Sequence, residues 1–531
     1  MKRIGFAAVL FVFAGAVFGA GSYNGGSGTE GDPYQIATAG QLHELSLHSV
    51  DWGKHFLLTS DLDLAGVEMG PIGLDSTNAF VGVFDGGGHV ISNLTINMPD
   101  SGYVGLFGYL EGEIKNLGLE NVSVTGDFYV GGLVGYSVNS TISQCFSRGT
   151  VNGNIRVGGL IGCGVSGIAR NCYSLASVTG DKIVGGFFGT NYGYPGMEPI
   201  CCYSAGSVSG NQYVGGFTGL VSGSFQEKEK NFNFWDVDTS SIAKILYEHS
   251  GFVGLVTPFM KSSRIYSYCG WSGDVWKIDE GNDYPRLDWE NKPGMPLAQS
   301  NGFNGSATAT DPYRIETAMD LRILTFDNSL WGAGKHFVMT SDLDLEGLFF
   351  SPIGRPSLNH NSLYENQMFS GSFDGGGHVI SNFKLDLSKY FESYYAGFFN
   401  YISEGAEVRN LGLENVDIRG DQLIGGLAGV SLGTVSQCFV TGVVEGDREV
   451  GGFVGKYENG FIFDSYCMCS VSGEYRAGGF IGMMDAGNEQ GSVERCYFAG
   501  TVNAYGAGAF LGVAVSLIDF YACYWDSTNM R

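Results

Sequence analysis

Apolar residues recur along this chain in short runs rich in Val, Ile and aromatics, separated by Gly, Ser and Asn, and helical 3.6-residue periodicity is missing from the repeated region. Such runs predict short strands joined by turns. The runs also keep time. The hexapeptide VGGLVG at Val130 is followed by related hexapeptides at Val157, Val184 and Val214, at intervals of 27, 27 and 30 residues. A second series starts at Ile424, Val450, Ala477 and Ala507, at intervals of 26, 27 and 30.

A second landmark accompanies each period: a Cys or its substitute followed by an aromatic, at Cys145-Phe146, Cys172-Tyr173, Cys202-Tyr203, Cys438-Phe439, Ser465-Tyr466, Cys496-Tyr497 and Cys523-Tyr524. Six residues after the first member stands valine, except after Cys523. A repeat of this length suits a coil of three short strands, with strands of successive coils paired in parallel about 4.8 Å apart. Equivalent residues then stack into columns. The fold class expected is all-β, a right-handed parallel β-helix solenoid with Cys, aromatic and valine ladders. Cysteines held at one phase of the repeat read as small buried hydrophobes, because parallel side-chain vectors do not suit a disulfide dihedral.

The periods sit inside a larger duplication. The segment GDPYQIATAGQLHEL at Gly31 matches TDPYRIETAMDLRIL at Thr310, KHFLLTSDLDL matches KHFVMTSDLDL, and FDGGGHVISN occurs at Phe84 and again at Phe373. Thr38 with Gln41, and Thr317 with Asp320, are capping-box patterns that open a short helix at the start of each copy. The organisation expected is residues 1–20 as signal peptide, 21–292 as the first module with a closing segment, 293–306 as linker, and 307–531 as a second module without that segment. Past Phe234, a helix over Thr257–Ile265 and the aromatic-rich Trp276–Glu290 stretch form the closing segment.

Met1-Lys2-Arg3, the apolar run Ile4–Phe18 and the small residues Gly19-Ala20-Gly21 have the layout of a secretory signal. The run is shorter than the ~20 residues that span a bilayer. A secreted or cell-surface protein is expected, with no membrane insertion after signal removal. The formal charge of −25 argues against nucleic-acid partners.

The Gly-Gly-Leu-x-Gly units and their flanking GDPYQIATAGQL, DLDL and FDGGGHVISN blocks resemble the GLUG-motif repeat family of exported bacterial proteins. The resemblance covers nearly the whole mature chain. Repeats of this kind also occur beside immunoglobulin A protease domains and in adhesin-like surface proteins, which implies a parallel β-helix stalk or binding surface.

No catalytic constellation emerges from the residues. HELSLH at His43 resembles the zinc motif H-E-x-x-H, but His48 follows His43 by five positions and leaves its helical face. DVDTSS at Asp236 starts like a calcium loop and lacks the Gly and Glu that complete one. The glycine clusters are not followed by a helix, as a phosphate loop requires. Asp85/His89 and Asp374/His378 are the recurring titratable pairs, and Asp before three Gly is strong turn chemistry. In each copy the lengthened third period inserts residues at one phase, where solenoids often carry ligand loops. The candidate binding residues are Tyr192, Tyr194 and Glu198 in the first copy and Asp485, Asn488 and Glu489 in the second.

These readings point to a non-catalytic repeat protein in surface adhesion or recognition of an extracellular glycan or surface protein, with no cofactor. The alternatives are a polysaccharide lyase or hydrolase on the coil exterior, and a passive spacer.

Overall fold

The computed structural model describes residues 21–192, 196–222, 232–242, 251–298, 302–348, 350–354, 368–387, 394–485, 491–516 and 519–526. They form an all-β parallel solenoid with short helical segments. Two compact units divide the chain: Met1–Ser263 with Trp271–Ala298, and Arg264–Gly270 with Gln299–Arg531.

The first unit opens with strand Tyr34–Ile36, paired in parallel with His55–Leu58, and between them lies the helix Ala39–Leu47. Its capping box is complete: Gln41 donates its backbone N–H to Thr38 Oγ1 at 3.3 Å, and Thr38 N–H returns to Gln41 Oε1 at 3.2 Å. Leu42 and Leu45 are fully buried. Trp52 Nε1 donates to the Leu45 carbonyl at 2.9 Å, tying the helix to the following turn.

Parallel registers then align the repeats. Val124, Val151, Val178 and Val208 are successive partners, as are Val130, Val157, Val184 and Val214. Val124, Val151 and Val178 in one column and Val130, Val157 and Val184 in the other are at most 1% exposed, which is why valine recurs at a fixed phase. The glycine after each hexapeptide valine has a steric cause. A Cβ on Gly131, Gly158 or Gly185 would stand 2.0–2.1 Å from the carbonyl oxygen three residues on, so the corner closes only over a hydrogen.

The aromatic landmark becomes a ladder of rings. Phe146 and Tyr173 stack at 4.9 Å and 11°, Tyr173 and Tyr203 at 4.9 Å and 7°. The adjoining cysteines are buried. Cys145 and Cys172 Sγ lie 3.2 Å from the carbonyls two residues before them, and Cys145 N–H points at Cys172 Sγ, 3.4 Å away. Each follows a residue with positive φ, Gln144 or Asn171, whose bend frees those carbonyls. The second unit shows what the position requires: Ser465 takes it over, accepting Cys438 N–H at 3.1 Å and donating to Phe463 O at 2.9 Å. A short X–H donor, not sulfur chemistry, is common to both.

The second unit repeats these devices. Helix Ala318–Phe326 has Thr317 and Asp320 in a complete capping box, and Trp331 Nε1 donates to Leu324 O at 2.7 Å. Ile418, Val444, Val471 and Val502 align, and Phe439, Tyr466 and Tyr497 stack at 5.0 and 4.9 Å. One coil here runs as three strands, Thr434–Ser436, Phe439–Gly451 and Val454–Tyr457. The matching course in the first unit is interrupted into four: Ser140–Ser143, Phe146–Asn152, Ile155–Gly158 and Ile161–Gly164.

In the first unit, Trp276–Ile278 pairs antiparallel with Arg286–Leu287 and Met295–Pro296. The helix expected over Thr257–Ile265 is two shorter ones, Thr257–Met260 and Ser263–Tyr268. Within the stretch expected as linker, Met295–Pro296 belongs to that antiparallel sheet, while Asn304 bridges Arg314 in the second unit.

Candidate functional site

The FDGGGHVISN turns are built from their own polar groups. Asp85 Oδ1 accepts Gly87 N–H at 2.9 Å and Asn116 Nδ2 at 3.0 Å, and Asp374 Oδ1 accepts Gly376 N–H and Asn410 Nδ2, both at 2.9 Å. His89 and His378 turn outward: each Nδ1 lies 3.1 or 3.0 Å from an oxygen of Asp61 or Asp342, the first Asp of the preceding DLDL strand. The second Asp of that strand bonds the next asparagine, Asp63 to Asn93 and Asp344 to Asn382, both at 2.7 Å. These carboxylates clasp one coil to the next. Among the described residues, no group of three or more His, Cys, Asp or Glu is placed to hold a metal ion, and no helix is long and apolar enough to cross a membrane.

The candidate loop residues fare unevenly. Tyr192 ends strand Phe188–Tyr192 and is 55% exposed. Glu198 is half-buried on Met197–Ile200, opposite Ile168. Asp485 is also half-buried, with Lys456 Nζ at 3.6 Å. Tyr194, Asn488 and Glu489 lie outside the described residues. The first-copy and second-copy residues fall in different units.

A different cluster stands out in the first unit. Tyr103 and Tyr129 stack at 5.2 Å and 22°; Tyr109 and Tyr136 stack at 5.1 Å and 26°. The two pairs meet edge-on, with Tyr103 5.6 Å from Tyr136 at 82° and Tyr129 4.9 Å from Tyr136 at 76°. Phe128 closes one side against Tyr103 and Tyr129, and the Arg156 guanidinium lies 5.2 Å above the Tyr129 ring. Register explains the assembly. Tyr109, Tyr136 and Cys163 are successive strand partners, while Tyr103, Tyr129 and Arg156 each precede a column valine and take positive φ, which swings the side chain outward at the corner.

The electrostatics are those of neutral phenols. Burial pushes the Tyr109, Tyr129 and Tyr136 hydroxyls above the ordinary phenol range, so all remain protonated donors. Cys163, beneath them, is pushed up to about 12 by the same cause. None of the four hydroxyls has a hydrogen-bond partner among the described residues. Elsewhere the fold uses phenols internally, as where Tyr203 donates to Pro285 O at 2.6 Å or Tyr457 to Gly460 O at 2.6 Å. At the corresponding positions of the second unit stand Tyr395, Tyr401, Leu423, Val430 and Lys456. Tyr401 donates to Glu458 at 3.2 Å, and Lys456 pairs with Glu458 at 2.5 Å. The open tyrosine quartet is a feature of the first unit.

Residues 126–152, which hold Phe128, Tyr129 and Tyr136, match the GLUG motif. A 177-residue stretch is 31% identical to Halomucin of Haloquadratum walsbyi, covering 32% of this chain and 2% of that protein. A 112-residue stretch is 38% identical to a protein of Evansella cellulosilytica described as a Gly-rich membrane protein, covering 20% of this chain and 12% of the relative. The chain therefore spans a small part of both relatives. A crystal structure assigned to an immunoglobulin A1 protease of Bacteroides ovatus aligns over 50% of this chain and 95% of its own, at 23% identity and a TM-score of 0.39.

Proposed function

We propose that this is an exported, non-catalytic repeat protein of the GLUG type, two tandem right-handed copies of one module, that acts at or outside the cell surface by recognising a neutral glycan. The observation that carries the reading is the tyrosine quartet of the first unit: stacked rings, half-buried at Tyr103, Tyr129 and Tyr136 and buried at Tyr109, whose hydroxyls have no hydrogen-bond partner among the described residues. A sugar ring presents C–H bonds on its face and hydroxyls at its rim. Tyrosine answers both, with an apolar ring and a polar tip. The strongly acidic chain disfavours an anionic polymer, and uncharged phenol rings and hydroxyls favour a neutral ligand.

The surface location is supported by the basic, apolar and small-residue order of the N-terminus and by the names of the two relatives, Halomucin and a Gly-rich membrane protein. The non-catalytic reading is supported by the clasp role of Asp85 and Asp374, whose carboxylates are engaged in their own turns. A glycan array probed with the purified chain tests the proposal. Saturable binding to neutral oligosaccharides is expected; binding to no carbohydrate, or turnover of a polysaccharide lost on Asp85→Ala with Asp374→Ala, contradicts it.

A further inference from the structure

The same ring column has two fates in the two units. In the first, the strap Trp271–Leu297 covers it. Trp289 stacks on Phe146 at 5.7 Å and 18°, Tyr284 on Tyr203 at 6.2 Å and 20°, and Trp276 lies 6.2 and 6.0 Å from Tyr173 and Tyr203. The polar tips are answered too: Tyr173 OH by Glu290, and Tyr203 OH by the Pro285 carbonyl. Phe146, Tyr173 and Tyr203 are consequently at most 1% exposed.

In the second unit, Phe439, Tyr466 and Tyr497 form the column with the same spacing and parallel planes, and Gly412 leaves room beneath Phe439 as Gly118 does beneath Phe146. Yet Tyr497 is 42% exposed, and the hydroxyls of Tyr466 and Tyr497 have no hydrogen-bond partner among the described residues. Met468 and Val443, on the same strand face, are exposed as well. Exposed apolar side chains gathered on one sheet face are a feature of interaction sites.

We propose that the Phe439–Tyr466–Tyr497 column docks an aromatic strap from a partner polypeptide, with the chemistry of the strap that closes the first unit: indoles laid flat over the rings and backbone carbonyls receiving the tyrosine hydroxyls. One difference refines the partner. Arg148, which meets Glu290 at 3.0 Å, has Thr441 in its place, so a carboxylate facing Tyr466 would keep only the strap's own arginine, Arg286 in the first unit, and a neutral acceptor suits the column better. This surface is separate from the tyrosine quartet and does not depend on glycan recognition.

The probe is a fluorescein-labelled synthetic peptide of residues 271–297 carrying Glu290→Gln, titrated into the intact chain, in which the first unit holds its own strap. Anisotropy is expected to show saturable binding that weakens at least tenfold with Tyr497→Ala, a substitution at an exposed ring checked for folding by its thermal melt. A peptide with both Trp276→Ala and Trp289→Ala is expected to lose binding to the same extent. No saturable binding, or binding that Tyr497→Ala leaves unchanged, overturns the proposal. So does a self-associated chain whose dimer, dispersed by Tyr497→Ala, excludes the peptide, because the column would then be covered by a second copy.

Discussion

The Tyr173 hydroxyl lies 2.9 Å from both carboxylate oxygens of Glu290, 117 positions away in the chain. Through this contact the ring ladder of the first unit is joined to its strap. Arg148 completes the group, 3.0 Å from Glu290 and 2.6 Å from the Tyr173 hydroxyl, and the Glu290 side chain is 2% exposed. Removing one partner of a buried group leaves the others unpaired, at about 3 kcal/mol. Glu290→Ala is therefore expected to loosen the strap by about 2–3 kcal/mol, since Arg148 retains some solvent. Glu290→Gln keeps an acceptor and is expected to cost less. Amide exchange across residues 271–297 reads the difference; equal protection in wild type and Glu290→Ala contradicts it.

The ladder rests on glycine at its first rung. A Cβ on Gly118 would meet the Phe146 ring at 2.5 Å, and one on Gly412 the Phe439 ring at 2.5 Å. Overpacking of this kind typically costs ~1–3 kcal/mol. Gly118→Ala is expected to lower the unfolding midpoint of the first unit, and Gly412→Ala that of the second. Segment-resolved amide exchange in urea separates the two, and an unchanged midpoint in either counts against ring stacking as a stabilising device.

Acid should unclasp the coils. Asp63 and Asp344 are held below the usual carboxylate range, first by the side-chain amides of Asn93 and Asn382 and then by the backbone N–H groups of Ala65 and Glu346. A depressed folded-state pKa contributes stability that is present above the unfolded value of ~3.9 and is lost as pH falls through that value toward the folded one. Thermal midpoints are expected to be level from pH 7 to ~5 and to fall below ~4. With Asp63→Asn and Asp344→Asn together, part of that acid dependence disappears; an identical pH profile in the double variant contradicts the clasp.

Much of this architecture is legible in the amino-acid sequence. The Val130, Val157, Val184 and Val214 hexapeptides gave the coil period, and the Cys-aromatic pairs gave two adjoining columns, because a parallel solenoid converts sequence phase directly into spatial alignment. Thr38 with Gln41 announced a cap that depends on neighbours three residues apart. The tyrosine quartet was harder to find. Tyr103 and Tyr109 belong to YVGLFGY at Tyr103, which is one glycine shorter than YVGGLVGY and so hides the hexapeptide. Aligning that segment with YVGGLVGY at Tyr129 puts Tyr103 over Tyr129 and nearly superposes Tyr109 on Tyr136, a signal open to a phase-by-phase reading. Glu290 and Arg148 offered no such signal. Their contact spans 142 positions and depends on how the strap folds back.

Insertion length led to Tyr192, an electrostatic neighbour of Tyr129, and not to the quartet itself. Insertion marks where a solenoid tolerates extra chain, whereas the quartet arises inside regular coils, from large side chains at a corner with positive φ.

The central claim is that the quartet of the first unit recognises a neutral glycan, and isothermal titration of the best array ligand into three proteins tests it most directly. The wild type and Tyr497→Ala are expected to bind alike, while Tyr129→Ala with Tyr136→Ala, folded by its melt, binds at least tenfold more weakly. Equal affinity in all three would contradict the account.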